Sequence, residues 1–112
     1  MTRAVLTPQD VLRTGLTHTF ASVDNVNGNE FTNDGRCALY VKNASGGSIN
    51  VTVGTPGVVD GLAVADLVVA VGAGVNKLIG PFPAGIYNQT GGLVYVDWSA
   101  GTSVTAAVLR MP

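Results

Sequence analysis

Residues 37–53 read CALYVKNASGGSINVTV, and this stretch predicts the fold. Every second side chain is apolar in residues 37–42 and again in residues 48–53. A period of two places alternate side chains on opposite faces of a β-strand. The glycines between the two segments are typical of a turn. The sequence therefore predicts two strands whose core-facing residues are Cys37, Leu39, Val41, Ile49, Val51 and Val53.

The same signals continue on both sides of this stretch. β-Branched and aromatic residues favour strands, and here they recur in short runs between turn residues. Further strands are predicted at 16–23, 66–71, 75–79, 93–98 and 104–109, and a short one at 30–32 that pairs with the strand after it. Spacing of this kind is typical of an antiparallel sandwich or barrel. The predicted fold class is all-β, a jelly-roll-like antiparallel β-sandwich of about seven to eight strands.

Local motifs refine this expectation. Asn33-Asp34-Gly35 contains the Asp-Gly pair that suits a two-residue hairpin, and Gly72-Ala73-Gly74 is interpreted as another hairpin turn. Only residues 8–16 have the pattern of a short helix, which Gly15 would end. We expect residues 1–29 to form an N-terminal arm with the first strand, and residues 30–112 to form the remainder of a single sandwich domain.

Composition narrows the classes of partner. Charged residues make up 12% of the chain and the net charge is −1, so nothing attracts the chain to nucleic acid or to an anionic membrane. No apolar window is long enough for a membrane span, and the N-terminus lacks the pattern of a signal peptide. Several predicted strands are apolar on both faces. Either subunit contact or a fold-over of the N-terminal arm or a loop is expected to cover those faces.

The motifs that could carry chemistry are weak. The segment 68–80 resembles the start of a dinucleotide-binding fold, but Lys77 stands where that fingerprint needs its third glycine. His18 and Cys37 are each the only residue of their type, which disfavours a catalytic or metal-binding cluster. Cys37 is expected to be a buried thiol. Asp97 is expected to cap the turn after it, although an acid pair or a calcium ligand is the alternative. We predict no enzyme, no catalytic residues, no cofactor and no metal.

A carbohydrate-binding β-sandwich, displayed on a virion or cell surface, is the alternative function. Such modules use exposed aromatic side chains beside Asp and Asn. Aromatic residues are only 6% of this chain, and their use in a core is more common. The residues that could form a sugar-binding face are Tyr87, Asn88, Tyr95, Asp97 and Trp98.

The order of these motifs resembles a known family. From Asn33 to Val53 the chain has Asn-Asp-Gly-Arg, an apolar strand, Lys-Asn, a small turn and an alternating strand. Segment 66–83 and the aromatic-bearing strand with the residues after it, up to 109, continue the pattern. This arrangement resembles small capsid decoration, or cement, proteins of tailed bacteriophages. The resemblance implies a homotrimer on the capsid exterior that bridges capsomers by binding the major capsid protein, after synthesis in the host cytoplasm.

The resemblance gives the segment Gly80-Pro81-Phe82-Pro83 a role. Two prolines would hold Phe82 on a stiff loop, as an apolar anchor that loses little entropy on docking. Phe82→Ala is therefore expected to weaken trimer formation or shell binding more than folding. Residues 1–16 of the N-terminal arm are the second expected contact, and their deletion is expected to release the protein from shells. The predicted subunit or capsid interface comprises Val5, Leu6, Leu12, Ile79, Pro81, Phe82, Pro83, Ile86 and Tyr87.

Overall fold

Strands dominate the structure of this chain. The computed structural model describes residues 3–56, 58–63, 65–89 and 91–111. Strands hold 46% of the residues and helix 4%, so the fold is all-β, as the sequence predicts. In chain order the elements are β1 (Ala4–Val5), β2 (Pro8–Asp10), β3 (Ala21–Ser22), β4 (Asn29–Thr32), β5 (Cys37–Asn43), β6 (Ile49–Val53), β7 (Val58–Val59), β8 (Leu62–Ala63), β9 (Leu67–Val71), β10 (Asn76–Ile79), α1 (Ala84–Tyr87), β11 (Leu93–Trp98) and β12 (Val104–Arg110).

The strands form two main sheets that share one core. Sheet 1 has the order β1-β4-β11-β6-β9, and sheet 2 has the order β10-β5-β12-β2, with β3 also paired to β12. Strands β7 and β8 form a separate hairpin. Buried side chains of both sheets belong to one hydrophobic cluster, which gives the fold its sandwich-like layering. Representative members are Phe31, Val51 and Val96 from sheet 1 and Leu39, Val41 and Val108 from sheet 2.

The alternation read from residues 37–53 is confirmed. In β5 every second residue from Cys37 to Asn43 is buried, and in β6 Ile49, Val51 and Val53 are buried while Asn50 is exposed. The same holds in β11, where the even-numbered residues are buried. Apolar side chains therefore decide which face of each long strand points to the core.

The predicted strand partners are wrong in two places. The sequence predicts that the strand at 30–32 pairs with the strand after it, but β4 pairs with β1 and β11 while β5 lies in sheet 2. Similarly, β9 and β10 on either side of residues 72–74 lie in different sheets, so that turn is not a hairpin. Turn residues encode a reversal of the chain, whereas the partner of a strand depends on distant segments.

The Asp-Gly pair that forms a hairpin turn is Asp60-Gly61, not Asp34-Gly35. Asp60 and Gly61 both have positive φ, at 52° and 78°, and they join β7 to β8. Positive φ at both central residues is the requirement of the tight hairpin turn that Asp-Gly favours. Asp60 is thus a turn residue.

The N-terminal region differs most from expectation. Residues 8–16 are not helical, because residues 8–10 form β2. The strand predicted at 16–23 is reduced to β3. Strand β1 pairs with β4 and β2 pairs with β12, both in parallel, so the sheets are mixed rather than purely antiparallel. The N-terminal region therefore adds strands to both sheets.

Three buried asparagines hold the corners where the chain changes direction. Asn29 Oδ1 accepts a hydrogen bond from Trp98 Nε1 at 2.7 Å, and Asn43 Nδ2 donates to the Val71 carbonyl at 3.1 Å. Asn33 Nδ2 donates to the Phe82 carbonyl at 2.8 Å. A buried amide of this kind satisfies backbone groups that strand pairing leaves free. No sequence pattern predicts these hydrogen bonds, although each asparagine stands at the end of a strand.

Candidate interaction surface

The segment that follows β10 enters the core. Phe82 exposes 1% of its surface, and its ring centroid lies 5.8 Å from that of Phe31 and 5.5 Å from that of Tyr87. The expectation that Phe82 is an exposed anchor is therefore corrected. Its side chain fills the space between the sheets, because burial of a large aromatic surface there stabilises the fold.

Gly80 explains the path of this segment. Its φ is +137°, and a Cβ atom on it would lie 3.0 Å from both Ala38 Cα and the Cys37 carbonyl oxygen. Only glycine permits such a φ and such close backbone approach. The chain therefore turns tightly against β5, and Phe82 lies two residues later on the inner side.

The predicted interface residues do not form one surface. Leu6, Ile79 and Phe82 are buried in the chain's own core, and Tyr87 is half-buried against it. These side chains have their partners within the chain, which removes Leu6, Ile79 and Phe82 as exposed contacts. The predicted residues that are exposed are Val5, Leu12, Pro81, Pro83 and Ile86. For those five, an interface stays a prediction.

An apolar groove lies beside one of the exposed predicted residues, Pro81. Its volume is about 520 Å³. Leu78 and Met111 are 63% and 62% exposed there, which is high for large apolar side chains. Neither residue is among the predicted contacts, although the alternation of β10 places Leu78 on the face opposite the buried Ile79. The lining residues are Gly35, Arg36, Ala38, Leu78, Gly80, Pro81 and Met111.

Two ion pairs lie next to this groove, both made by Arg110, which adjoins the lining residue Met111 in the sequence. Arg110 Nε donates to Asp34 Oδ2 at 2.8 Å, and Arg110 Nη1 donates to Asp10 Oδ1 at 3.1 Å. The Met111 backbone N–H donates to the Arg36 carbonyl at 3.1 Å. The Arg110 guanidinium beside Asp34 holds the pKa of that carboxyl below its ordinary value. These bonds join the end of β12, next to Met111, to the β4–β5 turn and to β2.

The residues considered for catalysis have other surroundings. Cys37 is buried, and burial raises the pKa of its thiol, which disfavours the nucleophilic thiolate. His18 is exposed and packs edge-on against Phe20, with ring centroids 4.9 Å apart. Asp97 does not cap a turn as expected. It forms an ion pair with Arg3 at 2.8 Å.

The residues proposed for a sugar-binding face are not brought together. Trp98 is buried and donates its indole N–H to Asn29. Tyr95 lies on the opposite face of β11, where the Arg3 guanidinium covers its ring at 4.4 Å. Asn88 is engaged with Asn33 through hydrogen bonds in both directions. The stacking platform that such a function needs is therefore not assembled from these side chains.

Within the described residues, no group of three or more His, Cys, Asp or Glu side chains could hold a metal ion. The helix in this part of the chain is too short to cross a bilayer. The groove lined by Leu78, Pro81 and Met111 leaves apolar surface exposed. Comparison with protein-family models, curated proteins and solved structures gives no match to this chain.

Proposed function

We propose that this chain is a non-enzymatic structural protein of a bacteriophage particle, a capsid decoration protein. In this role it binds the outer face of the shell, as a homotrimer, and bridges neighbouring capsomers of the major capsid protein. Two things support the proposal: the resemblance of residues 30–110 to such proteins and the apolar groove at Pro81. The groove is the structural observation on which the proposal depends.

Burial of exposed apolar surface in the groove would stabilise the proposed contact. Full burial of a Leu or Met side chain contributes about 1.5–3 kcal/mol. Leu78 and Met111 are each more than half exposed in a chain with only 12% charged residues. A specific interface needs roughly 800 Å² per partner, so the groove would be the centre of a larger contact. Three linked copies would add avidity to a modest single contact.

The first experiment measures binding of the chain to empty shells assembled from the major capsid protein of the same phage. Leu78→Asp and Met111→Asp each place a charge in the groove, which a desolvated contact does not tolerate. We expect co-sedimentation with shells to fall at least about tenfold, the effect of a loss of roughly 1.4 kcal/mol.

Val26→Asp is the matched control, because Val26 is 75% exposed and does not line the groove. Its shell binding should equal that of the unaltered chain. Equal binding by all three variants and the unaltered chain would contradict the role of the groove. Failure of the unaltered chain to sediment with shells would contradict the proposed function itself.

The oligomeric state is tested separately. Light scattering coupled to size-exclusion chromatography should give three times the chain mass for the unaltered protein. A mass of one chain at every concentration would contradict the homotrimer.

A further inference from the structure

One side of the sandwich ends in two edge strands whose outer sides are unpaired among the described residues. Strand β9 is the last strand of sheet 1 and β10 is the last strand of sheet 2, and residues 72–75 connect them. At the other end of each sheet the N-terminal region supplies the outermost strand. Among the described strands, none pairs with the outer side of β9 or of β10.

The backbone of Asn50 shows which groups of β9 point outward. Asn50 lies opposite Ala70, but its N–H bonds to Ser99 Oγ and its carbonyl accepts from the Ser99 N–H. Both backbone groups of Asn50 therefore point away from β9. In an antiparallel ladder such a position is a non-hydrogen-bonded pair. The N–H and C=O of Ala70, and by alternation those of Val68, thus point to the free edge.

Lys77 reaches this edge from the neighbouring sheet. It alternates with the exposed Leu78 and shares the inward side of β10 with the buried Ile79. Its Nζ donates to the Ala70 carbonyl oxygen at 2.8 Å. An inward-pointing charge on an edge strand is one of the devices by which sheet proteins avoid pairing with further strands.

We propose that Lys77 prevents a second copy of this chain from adding its own β9 to this edge. The sequence of β9, Leu67-Val-Val-Ala-Val71, has no charge and no proline, which favours strand addition. An antiparallel pair centred on Val69 would place Val68 of each copy opposite Ala70 of the other. That register requires the Ala70 carbonyl, the group that Lys77 occupies. Asp66 would fall opposite Gly72, so no like charges would oppose the pairing.

The test compares the two lysines of the chain. Lys77→Met keeps the length of the side chain and removes its charge, and Lys42→Met is the matched control, because Lys42 lies on the central strand β5 with its Nζ over Phe20. In light scattering, the mass of Lys77→Met should rise above that of the unaltered protein as concentration increases. Lys42→Met should keep the unaltered mass.

A second substitution identifies the edge. Proline has no N–H, so Lys77→Met combined with Ala70→Pro should restore the unaltered mass. Association of Lys42→Met, or continued association of the double variant, would overturn the inference, as would an unchanged mass for Lys77→Met.

Amide exchange gives a readout that needs no substitution. In the unaltered protein the N–H groups of Val68 and Ala70 should exchange with deuterium much faster than those of Val69 and Val71. Slow exchange at Val68 and Ala70 would mean that the edge is already paired, and the inference would fail. In the light-scattering test each variant is compared with the mass of the unaltered protein, so the test applies whether or not the unaltered protein is a trimer.

Discussion

At the scale of the residue, Phe82 changes from an expected contact to a core residue. Its neighbours Pro81 and Pro83 are exposed, so the segment presents its backbone and prolines outward and its aromatic ring inward. The sequence Pro81-Phe82-Pro83 does not by itself indicate whether the aromatic ring faces the core or the solvent. The deciding fact is the close approach of Gly80 to β5, which no local pattern shows.

Phe82→Ala should therefore destabilise the chain itself. Loss of a buried Phe side chain typically costs about 3–5 kcal/mol in the free energy of unfolding. Urea unfolding followed by tryptophan fluorescence measures this cost, because Trp98 is buried in the same cluster. Ile86→Ala is the control on the same segment. Ile86 is 48% exposed, so its change should stay within about 0.5–1 kcal/mol. Equal costs for the two variants would contradict the core assignment.

In the secondary structure, buried asparagine side chains connect the corners between strands to distant segments. Asn33 joins the β4–β5 corner to the segment around α1 by donating to the Phe82 carbonyl and to Asn88 Oδ1. Asn33→Ala leaves these acceptors without their donor at a buried position, which costs about 1–3 kcal/mol. Thermal and urea unfolding measure this loss. Asn50→Ala, on an exposed position of β6, should cost far less.

The ion pair between Arg110 and Asp34 also makes the stability of the fold depend on pH. Hydrogen bonding by Arg110 lowers the pKa of Asp34, so the folded state favours the charged carboxylate. This contribution is complete above the ordinary Asp pKa of about 3.9 and is lost as pH falls through the lower folded value. Asp34→Asn should therefore lose less stability than the unaltered chain on acidification below about pH 4. Since Asp34 is exposed, the difference should be small and should shrink further in high salt. Parallel acid-unfolding curves would contradict it.

The sequence predicts which face of a strand is buried better than it predicts which strands pair with each other. The period of two in β5, β6 and β11 identifies which residues are buried, because the water-avoiding side chains themselves cause that pattern. The pairing of β4 with β11 joins residues about sixty positions apart, and no signal in either segment names the other. For the surface, Leu78 was recoverable from its alternation with Ile79. The exposure of Met111 was not, since it depends on where the chain leaves β12.

At the scale of the whole molecule, the N-terminal region is part of the sandwich. Leu6 is buried in the core, and β1, β2 and β3 cover the edges of β4 and β12. Deletion of residues 1–22 should therefore do more than release the protein from a shell. We expect the truncated chain to aggregate or to unfold at lower temperature, because apolar surface and two sheet edges become exposed. Circular dichroism melting and light scattering measure this. A truncated chain with unaltered stability would show that the arm is dispensable for folding.

The place of β12 has a consequence for the order of folding. It follows every other strand in the chain, yet it lies in the middle of sheet 2, between β5 on one side and β2 and β3 on the other. The earlier strands of that sheet have no partner on those sides until β12 leaves the ribosome. Long-range pairing of this kind carries a large loop-closure entropy and makes folding slow, on the order of milliseconds to seconds. The nascent chain can therefore complete sheet 2 only once β12 has left the ribosome.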